Sequence, residues 1–394
     1  MSNQARETLA GRYLAAKKAL FDKKYSFLNE KQREAVYTIH GPLLVLAGAG
    51  TGKTTLLVNR IAYILKYGDA YFSDDVPASL DENTVTELEK AAEASVEDID
   101  LLLESFAPRA EERVAPWNVL AITFTNKAAN EMKTRLAKLI GPAATDLWCG
   151  TFHSMCLRML RMYADEAGLR PSFTIYDTDD TKKLITECMK QLSVDEKVLS
   201  AKQIMNRISM AKNELMTPHD FDAEVGNDHK MQQISSVYTL YQSKLHQANA
   251  VDFDDIIMRT VALLRRSERA RLNYQNKFRY VLIDEFQDTN RAQFELALLL
   301  SGGHNNLMVV GDDDQSIYKF RGATIENILH FDEKVVDTKI IKLEENYRST
   351  SNILNAANSV IRNNFGRRGK ELWTKGEEGG LRKSIERTDC VATA

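Results

Sequence analysis

Residues 43–55, Leu-Leu-Val-Leu-Ala-Gly-Ala-Gly-Thr-Gly-Lys-Thr-Thr, constrain the fold more than any other stretch. An apolar run reads as a buried strand, a glycine-rich loop follows, and a helical pattern opens at Lys53. Glycines let backbone N–H groups turn inward around phosphate oxygens, and the helix N-terminus adds positive dipole. Ala47, Gly48, Ala49, Gly50, Thr51 and Gly52 are therefore a candidate phosphate cradle, ending in Lys53, Thr54 and Thr55. Lys53 can reach terminal phosphates and the Thr54 hydroxyl can ligate Mg. The strict pattern has Gly where Ala47 stands, so the match is to a variant. The loop points to a nucleoside triphosphate, not to the use made of it.

Residues 279–288, Arg-Tyr-Val-Leu-Ile-Asp-Glu-Phe-Gln-Asp, read as a second buried strand ending in carboxylates. Asp284 at the strand end can hold Mg, and Glu285 can orient and deprotonate an attacking water. Further strands are expected at 119–124, 147–150, 307–311 and 339–343, with helices between them. Alternating strand and helix with a phosphate loop predicts an α/β fold, a parallel sheet covered by helices on both faces. From about 152 to 278 the strands nearly vanish, and helices are expected at 181–192, 200–213, 231–249 and 253–267. Ahead of the first strand, 5–23 reads as an amphipathic helix and 29–40 as another, with Asn29 as its N-cap. Asp252, Asp254 and Asp255 suggest either a metal site or an acid-rich helix N-terminus, and the helix reading is preferred.

The net charge of −3 is uneven. Residues 69–112 hold about fourteen acids against two bases, so the remainder carries about +9, which suits phosphate binding. Within this acidic stretch Leu88, Ala92, Val96, Ile99 and Leu103 recur at helical spacing. It reads as an insertion, either an acidic arm that competes with DNA or binds a partner, or a solvated surface hairpin. Cys149, Cys156, Cys188 and Cys390 show no paired metal spacing and fit a reduced compartment as small buried hydrophobes. No apolar run is long enough to span a membrane and no signal pattern opens the chain, so a cytoplasmic protein is expected.

The motifs, taken in order, resemble the UvrD/Rep/PcrA family of superfamily 1 DNA helicases, from residue 27 to about residue 373. Residues 28–36 resemble the adenine-reading Q motif, the phosphate loop motif I, 121–129 motif Ia and 150–154 motif Ib. Residues 284–288 resemble motif II, 311–323 motif III and 345–350 motif IV. The resemblance implies an N-terminal helical extension (1–26), then a first RecA-like ATPase domain (27–151 and 279–344) carrying the acidic insertion at 69–115. A helical subdomain (152–278) and the beginning of a second RecA-like domain (345–394) complete the division. No counterpart of the family's motifs V and VI is found, so the chain reads as cut within that second domain.

What the resemblance implies for roles is specific. ATP and Mg are the cofactors. Gln32 reads the adenine edge and Tyr347 stacks on the base. Relatives often carry an arginine where Thr55 stands, which puts the second stacking face in question. Gln315 senses the γ-phosphate, and Arg348 stabilises charge on the transferring phosphoryl. Aromatics Phe124, Tyr318 and Phe320 form pockets for single-strand bases, beside Thr123, Thr125, Asn126, Thr151, His153 and Arg321 on phosphate or sugar. Phe124 is equally readable as a core residue ending its strand, and His153 as a capping or core histidine.

The expected activity is ATP-driven 3′ to 5′ translocation on single-stranded DNA or at single-strand/duplex junctions, with unwinding, in repair or replication. Two alternatives stay open within this reading: an ATP- and DNA-binding half-motor without autonomous unwinding, or the motor part of a recombinational helicase–nuclease. A generic P-loop kinase or transporter ATPase is disfavoured by the Q motif, Asp-Glu-Phe-Gln-Asp and Glu-Asn-Tyr-Arg.

Overall fold

The computed structural model describes residues 3–93, 99–109, 112–316, 322–364 and 366–379. Its main sheet has six strands. β1 (Leu43–Ala47), β2 (Val119–Thr123) and β3 (Trp148–Thr151) precede the helical span. Within that span lie the two short strands β4 (Thr174–Ile175) and β5 (Ala250–Val251). β6 (Tyr280–Ile283), β7 (Leu307–Gly311) and β8 (Lys339–Leu343) follow it. The order is β3-β2-β6-β7-β1-β8, and every pairing is parallel.

A parallel sheet with both faces covered reads as continuous apolar strands rather than alternating ones. β1 fits: all five residues are buried, Leu43, Val45 and Ala47 in one apolar cluster, Leu44 and Leu46 in the other. Helices Asn3–Lys24, Glu30–Tyr37, Lys53–Tyr67 and Asn126–Ile140 supply the first face. Helices Phe152–Met162, Phe253–Arg266, Glu268–Lys277 and Arg291–Ser301 supply the second. Because all strands run the same way, the loops after β1, β2, β3, β6, β7 and β8 emerge along one edge. That is where α/β sheets bind ligands.

A third core, from Ile185 to Ala250, is mainly helical, closed at its end by Ala250 of β5. It is narrower than the 152–278 span, whose first helix and last two helices bury their apolar sides against the sheet. The Asp252 side chain caps helix Phe253–Arg266 by accepting from the Asp255 N–H at 2.8 Å. The buried Lys212 ammonium lies 2.6 Å from Asp252 and 2.9 Å from Asp255, so these acids are a cap and an ion pair.

The acidic insertion is docked rather than free. Its helices Glu82–Glu93 and Ile99–Ser105 bury Val85, Leu88, Ile99 and Leu103 in the first-face core, beside Leu9, Tyr13 and Phe21 of the N-terminal helix. Arg12 grips Glu89 through bonds of 2.9 and 2.7 Å and also meets Glu82. The apolar stripe, with charge complementarity to a helix about seventy residues earlier, outweighs the tendency of an acid-rich segment to stay solvated. Val96 lies outside the described residues. Cys149, Cys156 and Cys188 are buried free thiols, and Cys390 lies outside the described residues. No helix among the described residues is long and apolar enough to cross a membrane.

Candidate nucleotide and nucleic-acid site

The phosphate loop leaves β1 and turns into helix Lys53–Tyr67 through Gly50 (φ 72°) and Gly52 (φ 84°), a left-handed backbone that glycine adopts without strain. A Cβ at Gly50 would also lie 2.6 Å from Asn346 Nδ2, and one at Gly52 2.6 Å from Gln32 Nε2. Both positions thus need glycine for conformation, and Gly50 also for space, since a Cβ there would lie 2.8 Å from Arg348 Cβ.

Gln32 is tied to this loop. Helix Glu30–Tyr37 opens with a capping box: the Asn29 side chain accepts from the Gln32 N–H at 2.8 Å, and Gln32 Oε1 accepts from the Asn29 N–H at 3.0 Å. Gln32 Nε2 donates to the Thr51 carbonyl at 2.9 Å. An amide has a second N–H and a second lone pair, so one donor and one acceptor remain for a base edge.

The loop after β8 lies over the phosphate loop. The Tyr347 N–H donates to the Gly50 carbonyl at 2.9 Å, and Asn346 Nδ2 to the Ala49 carbonyl at 2.6 Å. Asn346 Oδ1 accepts from the N–H groups of Arg348 and Ser349 at 2.8 and 2.7 Å, fixing the turn. Asn29 Nδ2 donates to the Tyr347 hydroxyl at 2.9 Å. Together Phe27, Gln32, Gly50, Thr55, Tyr347 and Arg348 line a cleft of about 440 Å³. Thr55, Tyr347 and Arg348 therefore line one cleft. Phe27 and Asn346 were not anticipated: the first precedes the recognised motif, and the second sits inside motif IV beside the residues that drew attention.

The carboxylates meet the loop at Lys53, whose ammonium lies 2.8 Å from Glu285 Oε2. Burial pushes Glu285 upward, but the Lys53 charge and the hydrogen bonds from Gln287 and Lys53 outweigh it and hold Glu285 below its usual range. Asp284 behaves oppositely: burial, then the Glu285 charge, push it up to about 6. Its Oδ1 accepts from the Glu285 N–H at 2.9 Å. Glu285 adopts φ 51°, a left-handed conformation that costs a non-glycine residue about 1–2 kcal/mol and is typical of functional turns. A buried carboxylate raised by a like charge is suited to a divalent cation. Among the described residues the Thr54 hydroxyl has no hydrogen-bond partner. The residues present thus fit Mg, which Thr54 and Asp284 could hold.

Gln287, two residues beyond Glu285, joins the two halves of the site. Its Nε2 donates to Glu285 at 3.0 Å and to Asp288 at 3.4 Å, while its Oε1 accepts from the Asp312 N–H at 3.0 Å. Sequence reasoning weighed the acids of this motif and passed over its amide. Gln315, the expected γ-phosphate sensor, instead donates to the Asp312 carboxylate. Asp312, Asp313 and Asp314 converge within 4.8 Å. The Lys370 side chain, 2% exposed, places its ammonium among them, 2.6 Å from Asp312 and 2.8 Å from Asp314, so the cluster already holds its cation. Arg367 binds Asp314 through two further bonds of 2.8 and 2.7 Å.

A second cleft, of about 650 Å³, opens along the same sheet edge. The motif residues Thr123, Phe124, Thr151 and His153 line it, facing Asn206 and Met210 of the helical core. Thr125 caps helix Asn126–Ile140 by accepting from the Ala128 N–H at 3.1 Å, which leaves Asn126 exposed on its first turn. Thr151 likewise caps helix Phe152–Met162. The His153 ring packs on Phe253 with centroids 4.8 Å apart, and burial lowers its pKa, favouring the uncharged imidazole. Asp288 lines this cleft too, and burial, then Glu285, push it up to about 6. Its Oδ1 is buried without a hydrogen-bond partner. Tyr318, Phe320 and Arg321 lie outside the described residues.

Comparison with known proteins accords with this geometry. Residues 28–87 and 101–336 match the UvrD/REP helicase N-terminal domain family, and 341–390 match the UvrD-like helicase C-terminal domain family. The unmatched interval falls inside the acidic insertion. The chain is 44% identical over 354 residues to a protein of Bacillus subtilis named ATP-dependent DNA helicase PcrA, covering 90% of this chain and 42% of that one. A protein of the same name from Staphylococcus epidermidis is 45% identical over 352 residues, with 89% and 42% covered. One from Staphylococcus aureus is 44% identical over the same length. The chain thus spans about two fifths of the length of these relatives.

Proposed function

We propose that this chain, which belongs to the UvrD/REP helicase family, binds MgATP in the cleft above β1 and hydrolyses it to drive movement along single-stranded DNA held in the neighbouring cleft. The observation that carries the reading is the Lys53–Glu285 pair beside buried Asp284, at the edge of the sheet where both clefts open.

The chemistry follows from these residues. A triphosphate entering the loop draws Lys53 from Glu285 to its terminal oxygens. Thr54 and Asp284 would hold Mg, which neutralises phosphate charge. Freed from its ion pair, Glu285 orients a water and accepts its proton as the water oxygen attacks the γ-phosphorus. The bond to the β–γ bridging oxygen breaks, and ADP leaves with inorganic phosphate. Arg348, beside Gly50, is placed to stabilise charge on the moving phosphoryl group. The change at Glu285 passes through Gln287 to Asp288 and Asp312, and so reaches the second cleft. There Phe124 offers base stacking, which tolerates any sequence, while Thr123, Thr125, Asn126, Thr151 and His153 meet phosphate or sugar. Strand-separating activity at single-strand/duplex junctions and a cytoplasmic site of action belong to the same reading.

The test is ATP turnover with and without single-stranded DNA, beside Glu285→Gln. Turnover stimulated by DNA and reduced about 100- to 10,000-fold in the variant, with ATP binding retained, is the expected result. Turnover that survives the substitution refutes the role of Glu285. Binding of ATP and DNA without turnover in the parent chain refutes autonomous hydrolysis.

A further inference from the structure

We propose that Phe27 supplies one stacking face for the nucleobase, with Tyr347 supplying the other. The proposal rests on the nucleotide reading of the 440 Å³ cleft and names a specificity residue that its motifs do not contain.

Phe27 is 61% exposed and Tyr347 57% exposed, yet both rings line the same cleft as the phosphate loop. An exposed Phe forgoes the stabilisation of burial, which a flat apolar surface laid on the ring would recover. Its backbone is held on both sides. The Ser26 N–H donates to Lys23 at 3.2 Å, the Leu28 N–H donates to Tyr25 at 2.9 Å, and the Leu28 side chain is buried. Asn29, two residues on, is locked in the capping box and reaches the Tyr347 hydroxyl. The two aromatic walls are therefore registered to each other through one asparagine.

Among the described ring contacts Phe27 packs on Tyr25, with centroids 6.1 Å apart, and does not touch Tyr347. A base lying between two rings needs about 7 Å, twice the carbon–carbon contact distance of about 3.5 Å. Thr55, the other side chain on this part of the wall, is too small to cover a base face and carries no π-system. Gln32, at the inner end of the cleft, keeps one donor and one acceptor for the base edge. The ligand class is a purine nucleoside triphosphate: the larger ring system covers both aromatic faces, and the triphosphate runs from there into the glycine loop.

The experiment measures equilibrium binding, without turnover, of ATP and of inorganic tripolyphosphate to the parent chain and to Phe27→Ala, Phe27→Trp and Tyr347→Ala. Phe27→Ala should weaken ATP about 5- to 150-fold, leave tripolyphosphate unchanged, and be rescued by Phe27→Trp. Unchanged ATP affinity in Phe27→Ala, with affinity lost in Tyr347→Ala, overturns the proposal and leaves the cleft reading intact. Equal losses for both ligands mean distortion of the loop and also overturn it. A parent chain that binds neither ligand overturns the nucleotide reading itself.

Discussion

Asp284→Asn should make the protein more stable while removing a proposed Mg ligand. The Asp284 carboxyl is 9% exposed and pushed up to about 6, first by burial and then by Glu285. A group raised in the folded state stabilises the fold fully below the ordinary carboxylate range. That stability is lost as pH climbs through 6. Two pKa units correspond to about 3 kcal/mol of that stability, all of it lost at pH 8 and about half of it lost at pH 5. An asparagine Oδ1 still accepts from the Glu285 N–H, but its amide N–H groups enter a buried site without a partner, at a cost of at least about 1 kcal/mol. The net gain at pH 8 is then about 2 kcal/mol, and it nearly vanishes at pH 5. The assay is urea or thermal denaturation at both pH values, with Mg and nucleotide omitted so that neither masks the charge. A variant that melts at or below the parent at pH 8 refutes the reasoning, as does a gain of equal size at both pH values.

Two further outcomes are expected. Lys370→Met leaves the Asp312, Asp313 and Asp314 carboxylates without their central cation, so the urea midpoint should fall by the equivalent of about 3–5 kcal/mol; an unchanged midpoint would show that the acids find other partners. Phe124→Ala should weaken single-stranded DNA binding by about 1–3 kcal/mol, to a similar extent for every base composition; a loss confined to one sequence would mean edge recognition instead of stacking.

Much of the sheet could be read from the chain because parallel strands buried on both faces leave unbroken apolar runs. β1, β7 and β8 occupy 43–47, 307–311 and 339–343 as expected, and β2 stops at Thr123, one residue short of Phe124. Helix starts were legible where a cap is spelled locally, as at Asn29-x-x-Gln32. β4 and β5, two residues each, are too short to carry any periodicity. The acidic segment showed its apolar stripe but not what the stripe meets, since Arg12 and Tyr13 lie far away in sequence. The candidate site divides in the same way. Strand-end carboxylates and a glycine loop announce Lys53, Asp284 and Glu285, whose pairing across 232 positions follows from the sheet. The Gln287 amide and the Lys370 cage depend on which loops adjoin, and no local spacing encodes that.

β4 and β5 make a doorway. The Thr174 N–H donates to the Asn249 carbonyl at 3.1 Å and the Tyr176 N–H to the Val251 carbonyl at 2.8 Å, so the chain enters and leaves the helical core through two adjacent rungs. To the sheet, everything between them is a closed loop, and each doubling of such a loop costs only about 0.6 kcal/mol of closure entropy. The cassette behind the doorway can therefore lengthen, shorten or exchange its helices at small thermodynamic cost to the ATPase core. What it cannot change freely are Lys212, whose buried ammonium pairs with Asp252 and Asp255 beyond the doorway, and the wall it hangs over the second cleft, at Asn206 and Met210, where its side chains face the motif residues of the sheet. Variation within one lineage should thus accumulate at the far side of the cassette, while the doorway, the Lys212 pair and the cleft wall stay fixed as its anchor points.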